Sequence, residues 1–246
     1  MLELSVIIAA YNEEFRLVPT LTRTTAFLRD RHIIFEILIV NDGSKDKTKL
    51  IVESLMGKYP ELRLVSHHPN RGRGASIREG VLNAKGEYIL ESDADGSVSL
   101  EAFERFLNVL RNNKEIDVII GSREMKGSII TYPQPFLRVF LGYGFIYLTK
   151  FLFWAWHIHD FTLGFKMFRR EVAQDIFKHQ FDNHYVAEAE IVFAARKRGW
   201  HLLELPVTWS DDRDSRVRPV RDSFRSLRGL AEVFTRNLRG KYGKRS

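Results

Sequence analysis

Two carboxylates in the run Ser92-Asp93-Ala94-Asp95-Gly96 carry the sharpest chemical signal in this sequence. They stand two apart where the chain leaves a short apolar stretch, Tyr88–Glu91. Once the strand pleat ends, both point roughly the same way, and oxygen ligands of that kind suit a hard divalent cation. An isolated Asp-x-Asp is as a rule only a solvated acidic turn; the position after a buried strand and before Gly96 is what lifts this one. The same residues mimic a calcium loop, with Asp93, Asp95, Ser97 and Glu104 at ligand positions. Val98, however, stands where that loop needs glycine, and a strand precedes it in place of a helix. Asp42, in Val40-Asn41-Asp42-Gly43-Ser44, is a further carboxylate at a strand exit. An Asx turn explains it as well as a carboxylate accepting from a base N–H or a ribose hydroxyl does.

Asn70-Arg71-Gly72-Arg73-Gly74-Ala75 is glycine-rich and basic ahead of a helix. It lacks the Gly-Lys-Ser/Thr of a P-loop, and Ile77 replaces the third glycine of a dinucleotide fingerprint, yet it lets backbone amides and a helix N-terminus approach an anion. Arg123, Arg138, Lys166, Arg169, Arg216 and Arg218 are cations able to neutralise phosphates, although each alone reads as an ordinary surface charge. His157, His159 and Asp160 are read as polar residues and not as a zinc site, because strand alternation splits them between faces. No Gly-x-Ser-x-Gly or His-Glu-x-x-His occurs, so serine-hydrolase and zincin readings lack support.

These residues need a scaffold, and the first half supplies alternating apolar runs and helical stretches. Strands are expected at Leu4–Ala10, Phe35–Val40, Leu62–Ser66, Tyr88–Glu91 and Val118–Gly121. Helices are expected at Glu13–Asp30, from a Ser44 cap to about Lys58, and at Gly72–Ala84 and Leu100–Arg111. That alternation predicts a mostly parallel sheet with ligands at its carboxyl edge. Farther on, helices are expected near Arg170–Phe177 and Val186–Arg198, and a strand near Leu202–Val207. Phe136–Trp156 holds nine of the thirty aromatic residues. A membrane span there would put the sheet and the downstream polar residues on opposite sides of a bilayer, so an interfacial helix is expected.

The chain has 246 residues, enough for a large core, and no cysteine. That removes disulfides, thiol nucleophiles and cysteine-held metals from consideration. Charge is uneven. Arg213–Ser246 has 11 Lys+Arg against 3 Asp+Glu, whereas the remainder has 27 against 28. A near-neutral body argues against a nucleic-acid groove. Within the tail Pro219–Leu238 reads as a helix, with Val220, Phe224, Leu227, Ala231, Phe234 and Leu238 in one apolar stripe, as a peripheral membrane helix would have. Met1–Ala10 lacks a basic leader and is not read as a secretory signal.

Taken together, Ile8-Ala9-Ala10-Tyr11-Asn12-Glu13-Glu14, the Asp42 run, the 70–75 loop and Asp93-Ala94-Asp95-Gly96 resemble glycosyltransferase family 2, of the GT-A fold, in order and spacing. Gly121-Ser122-Arg123, Asp160-Phe161-Thr162-Leu163-Gly164-Phe165-Lys166 and Val207-Thr208-Trp209 extend the likeness to about residue 218. They look like the branch that makes polyprenyl-phosphate (dolichyl-phosphate) sugars, nearer its glucosyl than its mannosyl members. The reading is then an α/β, Rossmann-like GT-A domain over 1–218, with 136–156 an aromatic interfacial segment and 219–246 a basic amphipathic tail.

The resemblance implies roles. Ala9, Tyr11 and Glu13 would border the nucleotide, Asp42 would meet the base, and Arg71, Gly72 and Ala94 would line the nucleotide-sugar site. Asp93 would lie near ribose and metal, and Asp95 would hold Mg2+ or Mn2+ on the diphosphate. Arg123, Arg138, Arg216 and Arg218 would face the acceptor phosphate and donor diphosphate, and Lys166 is a further catalytic candidate. The implied substrates are a nucleotide sugar, UDP-glucose before GDP-mannose, and a polyprenyl or dolichyl phosphate. The implied place is the cytoplasmic face of a membrane, with a membrane-protein helper conceivable and no nucleic acid. A family member with a soluble acceptor, and a nucleotide-sugar-binding module without turnover, are the competing readings.

Overall fold

The computed structural model describes residues 2–133, 135–211 and 219–243, without the side chains of residues 138 and 219–223. Nine strands and eight helices follow one another along these residues. They are β1 (Leu4–Ala10), α1 (Leu17–Asp30), β2 (Phe35–Asp42), α2 (Thr48–Met56), β3 (Leu62–His67), α3 (Arg73–Asn83), β4 (Tyr88–Ser92), α4 (Leu100–Asn112) and β5 (Val118–Ser122). Then come β6 (Ile129–Tyr132), α5 (Phe136–Phe153), β7 (Lys166–Arg169), α6 (Arg170–Lys178), α7 (Ala187–Arg198), β8 (Leu202–Pro206), β9 (Thr208–Ser210) and α8 (Pro219–Leu238).

The main sheet has the order β3-β2-β1-β4-β7-β5-β8, and β6 and β9 form a small second sheet. All pairings in the main sheet are parallel except those of β7, which runs antiparallel between β4 and β5. Strands β1, β2, β4 and β5 are buried almost throughout, which accounts for their unbroken apolar runs. One core lies between the sheet and α1, α2 and α4, built on Leu17, Leu21, Phe103 and Phe106. The other lies under α3, α5, α6, α7 and α8, with Phe168, Phe177, Val192 and Val233. α7 runs through this second core: its Ala-rich sequence is buried on every side.

Three expectations need correcting. Helix α1 begins at Leu17, not Glu13, because the N–H groups of residues 12–14 hydrogen-bond to the next loop instead of joining a helix. Ser44 caps nothing: its Oγ accepts from the Asn12 N–H (2.9 Å), and α2 starts at Thr48, where Asp46 accepts from the Thr48 N–H (3.0 Å). The segment 219–246, expected as an appended tail, is packed on the body over its described part. Leu230, Val233 and Tyr242 are buried, the Tyr242 hydroxyl donates to Glu190, and Arg198 donates to the Gly243 carbonyl (2.7 Å). The small sheet β6–β9 and the insertion of β7 escape the sequence pattern, since both depend on pairing between distant segments.

Candidate active site

The carboxyl ends of β1, β2 and β4 meet at one edge of the sheet, and the exit loops of β1 and β2 are joined by side-chain hydrogen bonds. Asn12 Oδ1 accepts from the Lys45 N–H (2.7 Å), and Thr48 Oγ1 accepts from the Glu13 N–H (2.7 Å). The Glu13 carboxylate is engaged by the Arg16 guanidinium at 2.7 Å, so it serves the loop. Ala9 and Tyr11 are half-buried at the same edge.

Asp42, at the end of β2, is 3% exposed. Its Oδ1 accepts from the Arg71 N–H (2.6 Å), and its Oδ2 accepts from the Gly72 N–H (2.9 Å) and the Asn70 side-chain amide (2.9 Å). The glycine-rich loop is thus wrapped around this carboxylate, so Asp42 orders a loop 28 to 30 residues on and is not explained by a local Asx turn. Gly72 has φ 100°, and a Cβ there would sit 2.3 Å from the Asn183 carbonyl oxygen, so only glycine fits. The Arg71 side chain is left largely exposed above the loop, 3.7 Å from Glu79.

At the end of β4 the pattern differs. Asp93 Oδ1 accepts from Arg73 Nη2 (2.7 Å) and Nε (3.2 Å). Arg73 in turn reaches Glu91 Oε1 (2.8 Å) and Glu188, and Glu188 also takes the Lys166 ammonium. Glu91, Glu188 and Lys166 are almost wholly buried. Burial, and then the Glu188 charge, push the Glu91 carboxyl up to about 8. Burial also works against the Glu188 charge, but Lys166 and Arg73 outweigh it and hold that carboxyl low. With Glu91 neutral, Arg73 and Lys166 balance Glu188 and Asp93. Gly164 makes the cluster possible: a Cβ there would lie 2.0 Å from Arg73 Nη2 and 2.9 Å from Asp93 Oδ1. Lys166 was expected to face phosphate. Its Nζ instead donates to the Leu163 carbonyl (2.7 Å) inside the core, which corrects that expectation.

Asp95 accepts from the Ser97 N–H at 2.9 Å. Burial and the neighbouring Asp93 charge raise its pKa. It is therefore a carboxylate that folding has left short of positive partners, next to a second one. Buried Ala94 separates the two. That donor set fits Mg2+ or Mn2+, which commonly take one or two protein carboxylates and fill the remaining positions with phosphate oxygens and water. Among the described residues no three His, Cys, Asp or Glu side chains gather as a closed protein cage.

Opposite Asp93 stands Arg123, just after β5. Asp160 holds it from two sides, Nε to Oδ2 at 2.7 Å and Nη2 to Oδ1 at 3.0 Å, while Thr162 Oγ1 accepts from Nη2 at 2.6 Å. Its guanidinium carbon lies 5.3 Å from the Trp209 ring centre. These contacts fix the plane of the guanidinium and leave Nη1 without a hydrogen-bond partner among the described residues. Burial alone would push Asp160 up, but the Arg123 charge and the surrounding N–H donors hold its carboxyl well below the usual range. Arg169 is elsewhere, donating to the Leu110, Asn113 and Ile116 carbonyls, so it is not a phosphate ligand. His159 pairs with Glu204 at 2.8 Å. Arg138 lies on α5 with its side chain outside the described residues, as are Arg216 and Arg218 altogether.

Sequence reasoning passed over Arg73, Glu91 and Glu188. The available signal was a charge inside a buried strand, at Glu91, and another at the start of the fully buried α7, at Glu188.

Fold and site together define a GT-A glycosyltransferase. Residues 5–177 match the profile named Glycosyl transferase family 2, and the chain belongs to that family. A dolichyl-phosphate beta-glucosyltransferase of Trichomonas vaginalis is 36% identical over 222 residues, 86% of this chain and 65% of that protein. Another, of Dictyostelium discoideum, is 32% identical over 96% of this chain and 75% of its own length. The yeast Saccharomyces cerevisiae protein of the same name is 30% identical, with 97% and 76% covered. Among solved structures, mannosyl-3-phosphoglycerate synthase from Rubrobacter xylanophilus superimposes with TM-score 0.69 at 15% identity, covering 98% of this chain and 75% of that one. Glucosyl-3-phosphoglycerate synthase from Mycobacterium tuberculosis, with Mn2+, UDP-glucose and phosphoglyceric acid, gives 0.64 at 14%, covering 95% and 80%. These two share the fold.

Proposed function

We propose that this protein transfers glucose from UDP-glucose to dolichyl or polyprenyl phosphate with inversion at the anomeric carbon. The observation that carries the reading is the meeting, at one sheet edge, of the under-compensated Asp95 and its neighbour Asp93 with the clamped Arg123. The names of the relatives supply the glucose and the dolichyl phosphate, and the UDP-glucose bound in a structural neighbour supports the nucleotide. A phosphate oxygen of the acceptor attacks the sugar C1 as the bond from C1 to the UDP oxygen breaks, and UDP leaves with both electrons. The acceptor is already an anion, so no strong base is needed; the task is to bring two negative groups together. Arg123 is suited to it because Asp160 and Trp209 have already fixed its orientation. Asp95 and Asp93 would hold Mg2+ or Mn2+, which would neutralise the leaving diphosphate.

Ala9, Tyr11, Arg71, Gly72 and Ala94 border the proposed nucleotide site, with Asp42 and Glu13 shaping it from below. Arg138, Arg216 and Arg218 remain candidates for the acceptor phosphate. The lipid acceptor implies work at a membrane surface, with the cytoplasmic face the proposed side. The test is transfer of label from UDP-glucose, with GDP-mannose in parallel, into an organic-phase product in the presence of Mn2+ and polyprenyl phosphate. Label from UDP-glucose alone is the expected result. Label from GDP-mannose alone replaces the donor, and label appearing only on a water-soluble acceptor overturns the lipid assignment.

A further inference from the structure

Three charges stand in line behind Asp93, each less exposed than the one before it. The Asp93 side chain is 38% exposed, that of Arg73 20%, that of Glu188 5% and that of Lys166 0%. Lys166 is mounted on β7 directly opposite Glu91 of β4, and the Leu163 carbonyl also holds its Nζ. Glu188 is mounted on the first turn of α7, a helix buried on every side. One Glu188 oxygen accepts from the Lys166 ammonium and the other from Arg73 Nη1. Both oxygens are thus engaged inside the core, and Glu188 reaches the site only through Arg73. The Arg73 guanidinium then divides. Nη1 turns inward to Glu91 and Glu188, while Nε and Nη2 both donate to the same oxygen of Asp93, Oδ1. Among the described residues, Asp93 Oδ2 accepts no hydrogen bond.

We propose that Arg73 is a positioning residue: it fixes which oxygen of Asp93 is spent and which faces a divalent cation shared with Asp95, and Glu188, backed by Lys166, fixes Arg73. This rests on the reading that Asp93 and Asp95 hold that cation. Two N–H donors on one carboxylate oxygen stop the carboxylate from rotating, so Oδ2 stays turned away from the guanidinium. A ligand oriented before the cation arrives has no ordering cost left to meet when it binds. The buried charges act through direction and not through stability, since an apolar core would avoid their desolvation. What they add is one orientation for a planar fork, which the ammonium of a lysine does not reproduce. Four of the five N–H donors of Arg73 are committed to carboxylates, so the group is occupied as a holder and is not offered to the diphosphate. Arg73 also follows Gly72, whose N–H holds Asp42. It therefore ties the glycine-rich loop to the cation carboxylate.

The experiment uses the full chain and four variants. Arg73→Lys keeps the charge and loses the fork. Gly164→Ala keeps every charge and donor, and its added Cβ displaces the Arg73 fork and Asp93 Oδ1. Glu188→Gln/Lys166→Met removes the backing without changing the net charge. Glu61→Gln, in an exposed pair with Arg29, is the control. UDP affinity is measured by calorimetric titration in EDTA and again in Mn2+; the ratio of the two constants is the gain the cation brings. The electron paramagnetic resonance spectrum of Mn2+ in the UDP complex reports its ligand geometry. Arg73→Lys and the double variant should lose about tenfold or more of that gain and change the Mn2+ spectrum. UDP affinity in EDTA, which also shows that they are folded, should stay within about twofold of the parent. Gly164→Ala should lose less of the gain in the same direction, and Glu61→Gln should match the parent. An unchanged gain and spectrum in both Arg73→Lys and Gly164→Ala overturns the proposal. So does UDP affinity in EDTA that falls while the gain is kept, which would make Arg73 a diphosphate ligand. A parent in which Mn2+ adds nothing to UDP binding defeats the cation reading itself, and this inference with it.

Discussion

The loops after β2 and β4 both leave the carboxyl edge of the sheet with an aspartate, and the fold treats the two in opposite ways. Asp42 is saturated: three N–H groups of residues 70–72 converge on it. Asp95 takes one backbone N–H and sits close enough to Asp93 for the two charges to repel. A buried carboxylate so supplied with N–H donors has much of its negative charge spent on ordering the chain. A carboxylate that folding leaves under-compensated, beside another, is a place where a cation gains most. The difference teaches that a strand-exit carboxylate is not by itself a ligand site; the count of N–H donors around it decides.

The contrast can be broken most directly by Asp95→Asn. Transfer should drop by about a thousandfold. The unfolding midpoint should stay or rise at neutral pH, since a carboxyl whose pKa folding has raised destabilises the fold once ionised. Activity near the parent level, or a large fall in midpoint, would put Asp95 with Asp42. Asp160→Asn comes next, at about a hundredfold loss of transfer, because Arg123 keeps its charge but loses the clamp that aims it. Asp160 is depressed in the fold, so its stabilisation is present above its unfolded pKa and lost as pH falls through the folded value. The stability gap between parent and variant should therefore be full at neutral pH and close in acid.

Asp42→Asn should cost about 2 kcal/mol of stability by leaving Arg71 or Gly72 N–H groups poorly paired, with UDP affinity weakened by about tenfold through the loosened loop. Calorimetric titration with UDP and a thermal melt separate the two effects; weakened UDP binding with an unmoved melt would make Asp42 a direct ligand of the base. The smallest effect is expected of Glu91→Gln. Glu91 ionises only near 8 in the fold, so stability from its neutral form is full below the unfolded value and lost as pH rises through 8. The variant should match the parent at about pH 5 and exceed it by a degree or more at about pH 9. Identical melting at both values would show that the Arg73 cluster tolerates a charged Glu91.

Much of the scaffold was legible. The buried parallel strands announce themselves as unbroken apolar runs, and Leu4–Ala10 was read to the residue. The order of the loops along the sheet edge followed, and with it the grouping of Asp42, the 70–75 loop, Asp93 and Asp95. Helix starts were less legible where side chains are diverted across loops, as at Glu13 and Ser44. Lys166 looked like any other cation in a Gly-Phe-Lys run; nothing local tells that Glu188, 22 residues on, takes it into the core.

The sequence by itself determined the alternation of strand and helix, the family, and which residues reach the carboxyl edge, since these depend on patterns within a few residues of each other. Tertiary structure decided which charges are spent and which are left. Arg123 is aimed by a carboxylate 37 residues away, Arg73 is drawn to Glu188 across 115, and α8 turns its stripe outward because Leu230 and Val233, on its other side, are the residues packed into the core. Each outcome is a competition between partners brought together only by folding, and residue spacing along the chain carries no record of who wins it.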